Sequence, residues 1–240
     1  MKFKGLLFMS LAGMMSLAGC VDLDYNEATV TGEDWVYENP TDGVKRMVSD
    51  VYAQMFNEFD INYGGAIKAS ATDEADFANS LSDIHKFYNG GWSAANPFPD
   101  TWQRAYRAIT EVHIYLEKID KVDLSDYEYD SNYPNMVLQF GLYPYELRFL
   151  RAYYYFELAR TYGDVPLVVK SLTNEDANNV TRTPVQDVFK FIVKECDEIA
   201  EYLPISYRNE PGAEIGRATR GAAMALKART LLYAASPLFN

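Results

Sequence analysis

With 240 residues and a mass of 27.3 kDa, the chain is long enough to bury a substantial core as one large domain or two small ones. Hydrophobic residues make up 48% and charged residues 23%, which excludes wholesale disorder and collagen-like or low-complexity architecture. Lys and Arg total 22 against 34 Asp and Glu; a net charge of -12 with no basic patch repels phosphate backbones and excludes nucleic acid as a partner. Two Cys (Cys20, Cys196) and two His (His85, His113) are too few and too scattered for a zinc cluster or a disulfide framework, so no metal or cofactor is expected. The marked excess is aromatic, 15% with 19 Tyr.

At the N-terminus Lys2 and Lys4 precede a mostly apolar run from Gly5 to Leu17, long enough for a signal-peptide core and too short for a comfortable membrane span. Leu17-Ala18-Gly19-Cys20 resembles a bacterial lipobox, in which small residues admit the backbone to a peptidase and the thiol takes a diacylglyceryl group. Residues 1–19 are therefore expected to be removed and Cys20 to become the lipidated first residue; an ordinary secretory signal with a chance Cys is the alternative. One acyl chain anchors only marginally at about 0.8 kcal/mol per buried methylene, so a multiply acylated cysteine, carrying palmitate, is what holds a protein on a membrane. Residues 20–39 would form the tether, opening with Asp22 and Asp24, and the mature chain would carry 20 basic against 34 acidic residues, or -14. With Cys20 committed, Cys196 is left on an apolar helical stripe as a small hydrophobe.

Past the tether the pattern is helical. Val44, Met47, Val48, Val51, Tyr52, Met55, Phe56 and Phe59 fall on one face of a helix, with Pro40 in its first turn. A second helix is predicted to start near Asp100, after Pro97 and Pro99, burying Trp102, Ala105, Tyr106, Ile109, Val112, Leu116 and Ile119. The third, from about Tyr143 to Tyr162, is apolar over much of its circumference and so belongs at the centre, with Gly163 as a left-handed cap. Thr183-Pro184-Val185-Gln186 reads as a capping box that opens a fourth helix, with Pro at the first helical position and a stripe running from Val185 to Leu203. A fifth spans about Thr219 to Ala235, rich in alanines that admit a close neighbour, and Pro237 ends it. Five helices with irregular connections predict an all-α fold of stacked antiparallel pairs, although no strict 34-residue repeat marks a helical array. Long loops at 60–99 and 121–142 are unusual in a compact bundle, and loops of this length are often functional.

Two stretches carry a family resemblance. Residues 146–160, ELRFLRAYYYFELAR, followed by Tyr162-Gly163-Asp164-Val165-Pro166-Leu167-Val168, resemble the signature helix and turn of the SusD/RagB family, and Arg217 to Arg229, RATRGAAMALKAR, resembles a second signature. Thr72-Asp73-Glu74, Trp102 with Tyr106 and Ile109, and Arg182-Thr183-Pro184 leading to Leu203-Pro204 recur in family order. The resemblance implies tetratricopeptide-like stacked helix pairs with long irregular loops, and a non-enzymatic, surface-exposed outer-membrane lipoprotein of Bacteroidota. Such a protein captures nutrients, usually oligosaccharides, and lids a SusC-type TonB-dependent transporter. His113 stands where the family pattern has Asn, a packing change. Family members continue past Ser236-Pro237-Leu238-Phe239-Asn240, so residues 40–240 read as a SusD-like N-terminal helical domain truncated at its C-terminal end.

Sugars present C–H faces that stack on aromatic rings and hydroxyls that need planar donors and acceptors. Trp92, in Asn89-Gly90-Gly91-Trp92-Ser93-Ala94-Ala95-Asn96, fits that need, and two readings stay open for it: a stacking platform, or a loop tryptophan folded back on the scaffold. Asn89 and Asn96 are secondary ligand candidates that also suit turns. Asp73, Glu74 and Asp76 could bond sugar hydroxyls or act as a glycosidase-like carboxylate pair, against a solvated or capping role. Trp102 and the run Tyr153 to Phe156 read as packing, since consecutive residues wrap around a helix, and Arg148 and Arg151 as partners of carboxylates or caps. Asp126, Glu128, Asp130 and Asn132 alternate like calcium ligands, but Ser131 replaces the turn glycine and Val137 the closing Glu of an EF-hand. Asn179-Val180-Thr181 is a formal glycosylation sequon. Neither a G-x-S-x-G elbow nor a phosphate loop occurs. A glycan-binding lipoprotein leads; a structural helical adaptor with no ligand of its own and a glycoside hydrolase are the alternatives.

Overall fold

The computed structural model describes residues 35–56, 66–96, 98, 101–209 and 214–240. The leader, Cys20, most of the tether, Phe59, Pro97, Pro99 and Asp100 lie outside them. The chain divides into two units, Met1–Trp35 and Val36–Asn240, and the second carries the fold. Among the described residues seven helices run in the order α1 (Trp35–Glu38), α2 (Gly43–Ala53), α3 (Trp102–Lys118), α4 (Tyr133–Tyr162), α5 (Asn174–Asn179), α6 (Val185–Ile199) and α7 (Arg220–Ala234). The described residues hold no strand, only two isolated bridges, and the fold is all-α and tetratricopeptide-like.

Helix α4 is the hub, and α2, α3, α6 and α7 all pack on it. The burial explains why: every position from Phe149 to Ala159 except Tyr153 is buried, so partners cover the helix all round. Side-chain pairs show the helix directions. Along α3 and α4, Trp102 meets Tyr162 and Tyr106 meets Tyr155, so the pair is antiparallel. Along α4 and α6, Arg148 meets Glu198, Arg151 meets Glu195 and Tyr155 meets Phe191, again antiparallel. Arg220 at the start of α7 donates to the carbonyl of Ala200 just past α6, while Gln186 near the start of α6 reaches the carbonyl of Phe239 beyond α7.

The four aromatic residues 153–156 point to four neighbours. Tyr153 exchanges hydrogen bonds with the backbone of Phe56, and Tyr154 donates to the Val51 carbonyl at 2.5 Å. Tyr155 donates to the Val168 carbonyl and accepts from the Val168 N–H, and Phe156 packs edge-on against Tyr233. Gly43 marks a close crossing: a Cβ there would sit 2.4 Å from the Val36 carbonyl oxygen, so only glycine lets α2 start beneath α1.

Three expectations need correction. The stretch 121–142 is not one long loop, because α4 begins at Tyr133, ten residues before the predicted Tyr143. Pro134 suits the first turn, Met136 and Phe140 are buried, and Pro144 is carried inside the helix because packing on all sides outweighs its missing N–H. Pro40 is not in the first turn of α2; it lies in the preceding turn, where the Asn39 carbonyl accepts from the Gly43 N–H at 2.7 Å. Nor does Thr183 form a capping box. It is paired with Val165 in a backbone bridge, Pro184 is the residue before the helix, and the Asp164 carboxylate accepts from the Val185 N–H at 2.8 Å. In contrast, Gly163 ends α4 at φ +70°, as the sequence led one to expect, and α7 starts where it was predicted, with Thr219 capping it by accepting from the Ala222 N–H.

Candidate functional site

Between α2 and α3 the chain makes a small structure of its own. Two 3-10 turns, Lys68–Ala71 and Asp83–Phe87, pack around buried Ala66 and Ile84, with Ala71, Phe77 and Phe98 closing over them. From this base an aromatic chain leads outward: Phe98 touches Phe87 at 5.7 Å between ring centroids, and Phe87 touches Trp92 at 5.5 Å and 53°. Trp92 is 52% exposed, so Phe87 supports part of its ring while the rest faces solvent. Tyr88, 54% exposed, stands beside it in sequence and bonds both Asp76 Oδ1, at 3.3 Å, and His85 Nδ1. His85 Nε2 lies 2.9 Å from the Asn79 carbonyl, which accepts from it. The residual desolvation and the Asp76 carboxylate raise the Tyr88 hydroxyl above its ordinary pKa.

The five ligand candidates all fall in this loop but do different work. Asn89 Oδ1 accepts from the Gly91 N–H at 2.8 Å, and Asn96 donates to the Gly91 carbonyl at 2.8 Å while its Oδ1 accepts from Lys86. Both amides therefore hold the turn that presents Trp92. Asp76 accepts from the Phe77 N–H at 2.7 Å as well as from Tyr88. Asp73 and Glu74 are exposed. A general-acid carboxyl needs an apolar pocket, and none of these three carboxylates has one. Phe87, Tyr88 and Phe98 escaped the sequence reading; the signal was there in Phe87-Tyr88, five and four positions before Trp92.

A second polar cluster lies inside the helical body. Glu146, fully buried, accepts from Tyr52 and Tyr207 at 2.7 Å each and from Arg217 at 3.1 Å. Tyr52 in turn accepts from the Ala218 N–H at 2.8 Å, and the Arg217 guanidinium lies over the Tyr52 and Tyr143 rings. Arg217 also pairs with Glu214, which pairs with Lys45. Burial and the Glu146 charge push the Tyr52 and Tyr207 hydroxyls far up, so both stay protonated donors. A groove of about 390 Å³ lined by Tyr207, Arg208, Ile215, Gly216, Arg217 and Thr219 opens beside it.

On α6, Glu195 is held by Arg148 at 2.8 Å and by Arg151 at 2.6 Å. Their charges outweigh the upward push of burial and bring its carboxyl below the usual range. Nearby His113 is buried with Nε2 unbonded, and burial together with Arg151 lowers it to about 4. Cys196 is a buried free thiol, raised by desolvation to about 12. Among the described residues no cluster of His, Cys, Asp and Glu could hold a metal ion, and no helix is long and apolar enough to cross a membrane.

An all-helical scaffold that displays an aromatic loop between its second and third helices defines the class of this protein, and comparison with known proteins gives its family. Residues 39–232 match the SusD-like family model described as "Starch-binding associating with outer membrane", so the chain belongs to the SusD-like family. It is 26% identical over 130 residues to SusD-like protein P25 of Formosa agariphila, covering 54% of this chain and 22% of that one. Among solved structures it resembles a SusD-like protein of Bacteroides fragilis at 27% identity and a TM-score of 0.63, covering 84% of this chain and 36% of that one. A SusD-like carbohydrate binding protein of Bacteroides fragilis is similar at 28% identity and a TM-score of 0.64, covering 82% and 38%. The chain thus spans less than two fifths of the length of these relatives.

Proposed function

We propose that this chain is a glycan-binding, lipid-anchored protein of the outer membrane that hands oligosaccharide to a SusC-type TonB-dependent transporter, binding its ligand without turning it over. The observation that carries the binding role is Trp92, half-exposed on a rigid aromatic support, in a family described as starch-binding. One of the solved structures that it resembles is described as a carbohydrate binding protein. Stacking a sugar on Trp92 needs an apolar ring face held at a fixed angle, and Phe87 backed by Phe98 supplies that support. The membrane role rests on the lipobox, with Cys20 as the acylated residue.

Electrophoresis through gels containing starch or other soluble glycans tests the binding role. At least one glycan should retard the wild-type chain, and Trp92→Ala should weaken that by about 2 kcal/mol, roughly thirtyfold in affinity, with little change in melting temperature. Lowered melting with unchanged retardation would make Trp92 a packing residue. For the anchor, Cys20→Ser should abolish incorporation of labelled palmitate; equal label in the two proteins would remove Cys20 from that role.

A further inference from the structure

Resting on the glycan-binding reading above, we propose that a second carbohydrate subsite lies outside the 66–98 loop, where the turn after α6 presents Tyr202 beside the groove lined by Tyr207, Arg208 and Thr219. Along the seam of α4 and α6, Arg151 meets Glu195 and Arg148 meets Glu198. Just past the end of α6, Tyr145 stacks on Tyr202 as the next rung, with ring centroids 4.4 Å apart and planes 5° from parallel. Tyr145 is half-buried against the core, whereas Tyr202 is 51% exposed. With one face of Tyr202 covered by Tyr145, the opposite face is the one left to solvent. Trp92 follows the same plan, a half-exposed ring on an aromatic support.

The turn that holds Tyr202 is clamped. The N–H groups of Tyr202 and Leu203 both donate to the Ile199 carbonyl, and the Leu203 side chain is buried. Arg220, the first residue of α7, donates from its side chain to the carbonyls of Ala200 and Glu201, and from its backbone to that of Pro204. A ring fixed in this way loses little further freedom when a sugar stacks on it. The same contacts tie the platform to the groove: Thr219, next to Arg220, lines it, and so does Tyr207, which bonds Glu146, the neighbour of Tyr145 on α4. At about 390 Å³ the groove falls within the usual size of small-molecule sites, roughly 300–1,000 Å³. Polar partners for a sugar are present as well. The Tyr202 hydroxyl donates to the exposed Glu201 carboxylate, an acceptor for sugar hydroxyls, and the exposed Arg208 guanidinium supplies donors in the groove.

The test is titration of the full chain with soluble starch and with laminarin, comparing wild type, Trp92→Ala, Tyr202→Ala and the double variant. A glycan bound by the wild type should still bind Trp92→Ala measurably, and adding Tyr202→Ala should weaken that remainder roughly fivefold. Tyr202→Phe, which keeps the stack, should retain most of it. Because the Tyr145–Tyr202 pair also joins α4 to the turn after α6, melting is followed on every variant. Arg208→Ala, exposed and outside that stack, should weaken the remainder with no change in melting. A remainder that neither Tyr202→Ala nor Arg208→Ala alters makes Tyr202 a rung of the seam alone and overturns the subsite. Trp92-dependent binding with no remainder in Trp92→Ala also overturns it, and leaves the Trp92 reading standing. Binding that depends on Tyr202 and is indifferent to Trp92→Ala supports the subsite and overturns the Trp92 reading instead. Absence of wild-type binding to either glycan overturns both.

Discussion

The helical body and the loop of residues 66–98 use the same residue types to opposite ends. In the body, the hydroxyls of Tyr52, Tyr153, Tyr154, Tyr155 and Tyr207 are bonded to carboxylates or backbone, and Glu146 and Glu195 each take more than one donor. In the loop, two buried residues make the core, while Trp92 and Tyr88 keep about half their surface in solvent. A tyrosine-rich composition is therefore no mark of a binding platform by itself. What separates these two sets of rings is how much of each ring the protein already covers.

The largest effect should come from opening the body. Glu146→Ala leaves the hydroxyls of Tyr52 and Tyr207 without their acceptor and Arg217 with Glu214 alone, a loss of about 3 kcal/mol. Chemical denaturation should show it directly. At temperatures where the variant is still folded, Trp92-dependent glycan binding should persist, because the loop's own contacts do not run through Glu146. A loss below about 1 kcal/mol would mean that the cluster contributes little to the body's stability.

A smaller effect follows from acid. His113 is held neutral in the folded protein at about 4, below its ordinary 6.5. The unfolded chain therefore binds one more proton than the folded one between those values, and stability falls as pH drops from 6.5 towards 4, by about 1.4 kcal/mol per unit. Glu195, shifted downwards, adds its own loss only lower in the acid range. His113→Asn should flatten the slope of unfolding free energy between pH 6.5 and 4.5; an unchanged slope would place the acid sensitivity elsewhere.

Much of the body was legible in the sequence because its helices repeat their apolar residues at helical spacing, and the end of α4 carries Gly163 in the position that a cap requires. The first ten residues of α4 were not, because Gly141 and Pro144 are local breakers and the packing that overrides them is non-local. Asp164 as the cap of α6 was hidden for the same reason: it comes from 21 residues upstream, across a bridge between Val165 and Thr183 that no local pattern announces. In the loop, Gly90 and Gly91 before Trp92 marked irregular structure and left open whether the ring was exposed. Its support did not show, since Phe87 and Phe98 reach it only once the chain has folded around Ile84.

The smallest effect on stability, and the sharpest separation of the two regions, should come from Asn96→Ala. Its side chain joins Gly91 to Lys86 and closes the turn that carries Trp92, yet it is exposed and touches none of the body's helices in these bonds. Global unfolding free energy should therefore move by no more than about 0.5 kcal/mol. Glycan affinity should fall all the same, because a ring on a loosened turn must be ordered again when the sugar arrives. Cleavage within residues 89–96 by a protease at native conditions should speed up in parallel, since local opening is what exposes that backbone. If Asn96→Ala instead lowered the unfolding free energy as far as Glu146→Ala does, loop and body would be one cooperative unit, and the division of labour between them would be wrong.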